Sequence, residues 1–150
     1  MRVQGTVLAL AQRPSKGGAM IVSDSLVLNP KDGVVGDHSK SKRRQVTILD
    51  TSSWEAVCSE VGVDLPWEVR RANILVQDIE LQSLVDKTIR IGTAIAKVLG
   101  EVDPCHVMDE AHFGLKDAMK SEWRGGVYAL ILKEGTVKID DKISLIQSSQ

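Results

Sequence analysis

Short apolar runs, separated by turn residues, make up most of this chain and constrain its fold more than any other feature. The runs lie at residues 3–10, 20–22, 26–28, 45–49, 73–76, 88–91, 127–132 and 137–146. Gly or Pro falls between most of them, and most are too short to form a helix. This pattern predicts a mainly β fold, an all-β barrel or sandwich with a few short helices. We expect the last two runs to form a hairpin that turns at Glu134–Gly135.

One segment has the period of a helix rather than that of a strand. Its apolar residues follow one another at helical spacing and form a single face: Trp54, Val57, Cys58 and Val61. The spacing predicts a helix over Ser52–Val61, with Ser52 and Glu55 as a capping box and Gly62 as its end. On this face Cys58 is expected to be a small hydrophobic core residue. Shorter helices are expected near Leu65–Pro66 and over Leu115–Lys120.

The composition excludes several classes of function. A length of 150 residues fits one domain, residues 1–150, and 43% hydrophobic with 26% charged residues is typical of a folded chain. A net charge of −1 and 3% aromatic residues argue against nucleic-acid binding. The longest apolar run, Val127–Leu132, is far shorter than the about 20 residues of a membrane helix. With only two cysteines, we expect a cytoplasmic protein with reduced thiols and no membrane partner.

Cys105 lies in a context that favours a reactive thiol. It follows a predicted strand that ends near Leu99, and Pro104 suits the first position of a helix. A helix N-terminus, with His106 adjacent, favours the thiolate, which ligates soft metals or accepts sulfur. The alternative is a partly exposed structural thiol. No second cysteine stands two residues away, so the segment is neither a zinc ribbon nor a dithiol redox motif.

Two basic segments are candidates for anion binding. Residues 36–44 form a predicted loop with four cations: Lys40, Lys42, Arg43 and Arg44. Such a loop binds phosphate or carboxylate, or it is a solvated loop that protects an edge strand. The pair Arg70–Arg71 stands directly before a predicted buried strand. There Arg71 can bind an anion, and Asn73 can pair with both the donor and the acceptor edges of a heterocycle.

Taken in order, these segments resemble the MOSC domain, the family named for the C-terminal region of molybdenum cofactor sulfurases. The resemblance covers nearly the whole chain and rests on these segments: residues 5–7 with 14–17, 33–38, 44–49, 70–76, 91–94 leading into 99–100 and 104–105, and 124–128. Members usually have glycine where Asp78 stands, and Gly–Asp where this chain has Asp140–Asp141. Asp tolerates a positive φ better than most residues, so we expect both turns to survive.

The resemblance implies a fold, a cofactor and a set of site residues. The family fold is a strand-rich, irregular β-barrel, and the family cysteine, matched by Cys105, is thought to carry sulfur or to ligate molybdenum. In relatives such as the mitochondrial amidoxime-reducing component, a pterin–molybdenum cofactor is held through that cysteine. Arg71 and Asn73 match an arginine that helps to hold this cofactor and the asparagine that follows it. Further contacts to the phosphate of the cofactor are expected from Lys16, Arg43 and Arg44. No site for pyridoxal phosphate is apparent.

Two functions follow from this resemblance, and a third does not depend on it. The first is a module that binds molybdenum cofactor or carries sulfur as a persulfide on Cys105, with a cysteine desulfurase or a molybdoenzyme as partner. The second is a molybdenum-cofactor-dependent reductase of N-hydroxylated compounds, which would need an external electron-transfer partner. The third is a non-catalytic β-barrel interaction module in which Cys105 has no role.

Overall fold

Eleven β-strands are present in the computed structural model of the protein, which describes residues 3–15, 18–38, 43–103, 106–120 and 122–146. In chain order they are β1 Gln4–Gln12, β2 Ile21–Ser23, β3 Ser25–Asn29, β4 Gly33–Val34, β5 Val46–Asp50, β6 Ile74–Gln77, β7 Thr88–Ile91, β8 Ala94–Glu101, β9 Val127–Lys133, β10 Gly135–Lys138 and β11 Lys142–Leu145. The predicted mainly β fold is confirmed.

Seven of these strands close into a barrel. Their order is β11, β7, β8, β9, β5, β6 and β1, and β1 pairs with β11 again. Strand β2 extends β1 outside the ring, and β3 lies between β10 and β4 in a second sheet. Every pairing in the ring is antiparallel except β5 with β6, which is parallel. A parallel pair needs a crossover connection, and helix α1, Thr51–Val61, lies within it.

Two apolar clusters pack on opposite sides of β5 and β6. The barrel interior is filled by aliphatic side chains from all seven strands, among them Ile48 and Ile74. Outside, α1 and the helices α2, His106–Ala111, and α3, Leu115–Lys120, cover the other face of the two strands, where Leu49 and Leu75 lie. Burial on both faces explains why β5 and β6 are mostly apolar and do not alternate between apolar and polar residues.

Helix α1 confirms the predicted apolar face and corrects the predicted cap. Trp54, Val57 and Cys58 are buried, and Gly62 ends the helix with a left-handed φ of 78°. The N-terminal cap is Asp50, whose Oδ2 accepts a hydrogen bond from Ser53 N at 3.0 Å. The Ser52 hydroxyl instead donates to Asp50 at 2.7 Å. The capping-box prediction was wrong because the last residue of β5 already supplies the carboxylate.

The predicted C-terminal hairpin is also wrong. Strand β9 pairs with β8 on one edge and with β5 on the other, so neither edge is left for β10. Strand β10 pairs with β3 in the second sheet. Strand β11 returns to the barrel between β7 and β1. The turn at Glu134–Gly135 therefore moves the chain from one sheet to the other.

Two shorter helices and two turns agree with the sequence predictions. A 3-10 helix, Trp67–Arg70, begins directly after Pro66, and α3 spans the predicted residues. Asp78 and Asp140 adopt φ values of 64° and 76°, the left-handed conformation expected at both turns. None of the helices in the described ranges has the length and apolar character needed to cross a membrane.

Candidate functional site

A cavity of about 240 Å³ opens at the rim of the barrel where β5 and β6 begin. Four strand ends meet there, since β1 and β8 end at the rim where β5 and β6 start. The cavity, here called the arginine cavity, is lined by Arg13, Met20, Asp37, Arg44, Gln45, Thr47, Arg70, Arg71, Asn73, Val102 and Met108. Three of the predicted site residues, Arg44, Arg71 and Asn73, are thus brought together.

The lining is strongly positive. In the described part of the lining there are four guanidinium groups, those of Arg13, Arg44, Arg70 and Arg71, and one carboxylate, that of Asp37. Guanidinium groups bind phosphate and carboxylate through paired N–H donors. The arrangement therefore favours an anionic ligand.

Arg70 forms part of the cavity wall. It is buried, and its Nε and Nη2 donate to the Gly125 carbonyl at 3.1 and 2.9 Å. A Cβ on Gly125 would lie 2.3 Å from the Val102 carbonyl oxygen, and Gly126 has a φ of +87°. The Val102 amide donates to the Gly126 carbonyl at 2.9 Å. Both glycines are needed so that Arg70, the turn and Val102 can pack this closely.

Arg71 is exposed and conformationally unusual. It ends the Trp67–Arg70 helix with a φ of 66°, and its amide donates to the Glu68 carbonyl at 2.9 Å. Among the described residues, no hydrogen bond or ion pair engages its guanidinium group. The group is therefore available to a ligand.

Asn73 joins three strands at the floor of the cavity. Its Oδ1 accepts from the Thr47 amide at 3.0 Å, and its Nδ2 donates to the Ala11 carbonyl at 3.2 Å. Its backbone amide and carbonyl also bond to Thr47 and Ala11. The sequence interpretation assigned this amide to a heterocycle. In the structure the side chain bonds first to protein backbone, and one N–H remains for a ligand.

Of the other predicted site residues, Arg43 is the one whose position the structure describes. Arg43 is exposed and does not contribute to the lining. Lys16 and Cys105 lie outside the described residues. Val102, in the cavity wall, stands three positions before Cys105, and α2 begins at His106.

Sequence reasoning missed Arg13 and Asp37. The Arg13 amide donates to Asp37 Oδ1 at 2.7 Å, and the His38 amide donates to the Arg13 carbonyl at 2.7 Å. These two hydrogen bonds hold the segment after β1 against the segment after β4, and they bring the side chains of Arg13 and Asp37 to the cavity. The one available signal was the position of Arg13 directly after a predicted strand.

One carboxyl group beside the cavity is perturbed. Burial raises the pKa of Glu101, which precedes Val102, and the nearby charge of Asp103 raises it further. Glu101 is therefore protonated at a higher pH than an ordinary glutamate, and its protonation lowers the negative charge beside the cavity.

A second depression continues the arginine cavity. Its volume is about 510 Å³, and it shares Met20 and Arg71 with the arginine cavity. The other lining residues come from the segment before β2, the Trp67–Arg70 helix and α2, and are Gly18, Ala19, Pro66, Glu68, Val69, Glu110 and Ala111. The two spaces together can hold a ligand larger than either could alone.

Comparison with known proteins identifies the family. Residues 35–144 match the model of the MOSC domain. Among solved structures, YuaD from Bacillus subtilis superposes with a TM-score of 0.83 at 20% identity, covering 99% of each chain. YiiM from Escherichia coli has a TM-score of 0.73 at 14% identity and covers 96% of this chain and 71% of its own. A search of the curated proteins gave no match. The chain belongs to the MOSC domain family.

Proposed function

We propose that the protein binds molybdenum cofactor, with the phosphate of the cofactor in the arginine cavity. The observation that carries this proposal is the convergence of four arginines on one cavity at the barrel rim. Arg71 and Arg13 bind the phosphate oxygens, because a guanidinium group offers paired donors to a phosphate. Arg70 stabilises the cavity wall through its hydrogen bonds to the Gly125 carbonyl and thereby keeps the neighbouring Arg71 in position.

The size and chemistry of the site fit this cofactor. The arginine cavity alone is smaller than the about 300–1,000 Å³ typical of a small-molecule pocket, so it suits the phosphate end. The adjoining depression provides the remaining space for the pterin. The thiolate of Cys105, which the family resemblance assigns as metal ligand, suits a soft metal. When bound, the cofactor supplies a molybdenum centre capable of redox chemistry, and the chain binds and orients it.

Native mass spectrometry of gently purified protein from cells that make the cofactor tests the proposal. We expect a mass increment that matches a molybdenum–pterin species and is lost in both Cys105→Ala and Arg71→Ala. Arg43→Ala is the matched control, because it removes an exposed arginine outside the cavity. That variant should keep the increment.

Two other results would overturn cofactor binding. An increment of one sulfur atom, lost in Cys105→Ala and kept in Arg71→Ala, would assign the protein as a sulfur carrier that accepts from a cysteine desulfurase. Bare protein in the wild type and in every variant would assign it as an interaction module.

If the cofactor is bound, turnover of an N-hydroxylated compound with a reduced electron donor tests the reductase hypothesis.

A further inference from the structure

The second depression has a charge pattern opposite to that of the arginine cavity. Among the described residues, its lining has two carboxylates, Glu68 and Glu110, and one guanidinium group, that of Arg71, which it shares with the arginine cavity. Most of its remaining lining is apolar, including Met20 and Val69. The two spaces form one groove that is positive at one end and acidic at the other. A ligand that fits it is anionic at one end and rich in hydrogen-bond donors at the other.

Glu68 is the better positioned of the two carboxylates. It is half-buried and lies in the Trp67–Arg70 helix, where its carbonyl accepts from the Arg71 amide at 2.9 Å. The same helix is fixed at its end by the bonds of Arg70 to Gly125. Glu110 is exposed near the end of α2. In the described part of the chain, neither carboxylate makes a hydrogen bond or an ion pair.

An aminopyrimidinone ring, such as that of a pterin, presents an amino group and a ring N–H side by side. A carboxylate accepts both hydrogen bonds with its two oxygens, in the geometry that it also uses with arginine. Met20 and Val69 supply apolar contacts for a flat ring, as is usual in ligand pockets.

We propose that Glu68 determines the specificity of the groove by accepting two hydrogen bonds from the aminopyrimidinone edge of the pterin. This inference rests on the proposed function and adds to it a residue that selects the ring. Replacing the ring's amino group by an oxo group removes a donor and places an acceptor against the carboxylate. The groove therefore selects pterins over lumazines that carry the same anionic group.

Isothermal titration calorimetry with a pterin carboxylate and the matching lumazine carboxylate tests this inference on the cofactor-free protein. We expect the wild type to bind the pterin at least about tenfold more tightly, as one hydrogen bond to a charged group allows. Glu68→Gln should reduce this preference to about threefold or less with little change in lumazine affinity, because a glutamine amide meets either edge. Thermal melting confirms that the variant is folded.

Two further variants assign the effect to Glu68. Glu134→Gln changes an exposed glutamate between β9 and β10, away from the groove, and should keep the wild-type preference. Loss of the preference in Glu110→Gln, with Glu68→Gln unchanged, would overturn the assignment. Arg71→Ala should weaken the binding of both ligands equally, since it acts on the anionic end.

The binding of the two ligands to the wild-type protein distinguishes failure of this inference from failure of the proposed function. Equal binding of the two ligands, with both weakened in Arg71→Ala, would overturn the role of Glu68 and leave the arginine cavity as an anion site. Absence of binding of either ligand would overturn both.

Discussion

Arg70 and Arg71 are neighbours in the chain with different tasks. The guanidinium group of Arg70 is buried against the Gly125 carbonyl, whereas that of Arg71 faces the two adjoining cavities. The left-handed conformation of Arg71 ends the helix and directs the chain into β6. For a residue other than glycine this conformation costs roughly 1–2 kcal/mol. Two consecutive arginines do not indicate a left-handed conformation. The sequence therefore indicated an anion site without showing which arginine is buried.

Asn73→Ala is expected to destabilise the fold by about 2–4 kcal/mol, because it leaves a buried amide and a buried carbonyl without their side-chain partner. These are the Thr47 amide and the Ala11 carbonyl. Urea denaturation gives the free energy of unfolding. Asn29→Ala is the control: among the described residues the side-chain amide of Asn29 bonds to Asp32 alone, in a half-buried turn, and we expect a loss of less than about 1 kcal/mol. Equal losses in the two variants would contradict this account of Asn73.

At the scale of elements, strand positions were predictable and strand partners were not. Apolar runs identified β5 and β6, since both strands are buried on both faces. The same runs gave no sign that the two strands are parallel, because pairing depends on which edges remain free. The C-terminal hairpin prediction failed for this reason: β9 already has β8 and β5 as neighbours.

The cap of α1 offers a test between the sequence pattern and the structure. Asp50→Ala removes the carboxylate that accepts from the Ser53 amide, and should cost about 1 kcal/mol of unfolding free energy. Ser52→Ala removes only a hydroxyl that donates to Asp50, and should cost less than about 0.5 kcal/mol, as at most surface positions. Chemical denaturation of the two variants measures both values. A larger loss in Ser52→Ala would restore the capping-box prediction.

At the scale of the whole molecule, the site exists because the barrel closes. The arginine cavity draws on residues 13, 20, 37, 44, 45, 47, 70, 71, 73, 102 and 108, which come from distant parts of the sequence. Local patterns identified Arg44, Arg71 and Asn73, and the family resemblance placed them in one site. Arg13 could not be found in this way, because it reaches the cavity through the contact of its segment with Asp37.

Closure itself depends on β11, which pairs with β7 and β1. Ile143, in this strand, is fully buried in the barrel core. Ile143→Ala should therefore lower the free energy of unfolding by about 2–5 kcal/mol. Leu132→Ala, at a position that is 49% exposed, should cost less than about 1 kcal/mol. Urea denaturation compares the two, and a small loss at Ile143 would show that closure by β11 contributes little to stability.

The pairing of β1 with β11 also has a consequence for synthesis on the ribosome. Lys142 pairs with Thr6 across a separation of 136 residues, so β1 is synthesised long before β11 and pairs with it only once β11 has been made. Until then one edge of β1 has no strand partner, and an unpaired edge is a template for association with other chains. Contacts this distant in sequence also form slowly. Newly made chains therefore depend on protection of the β1 edge until β11 has been synthesised.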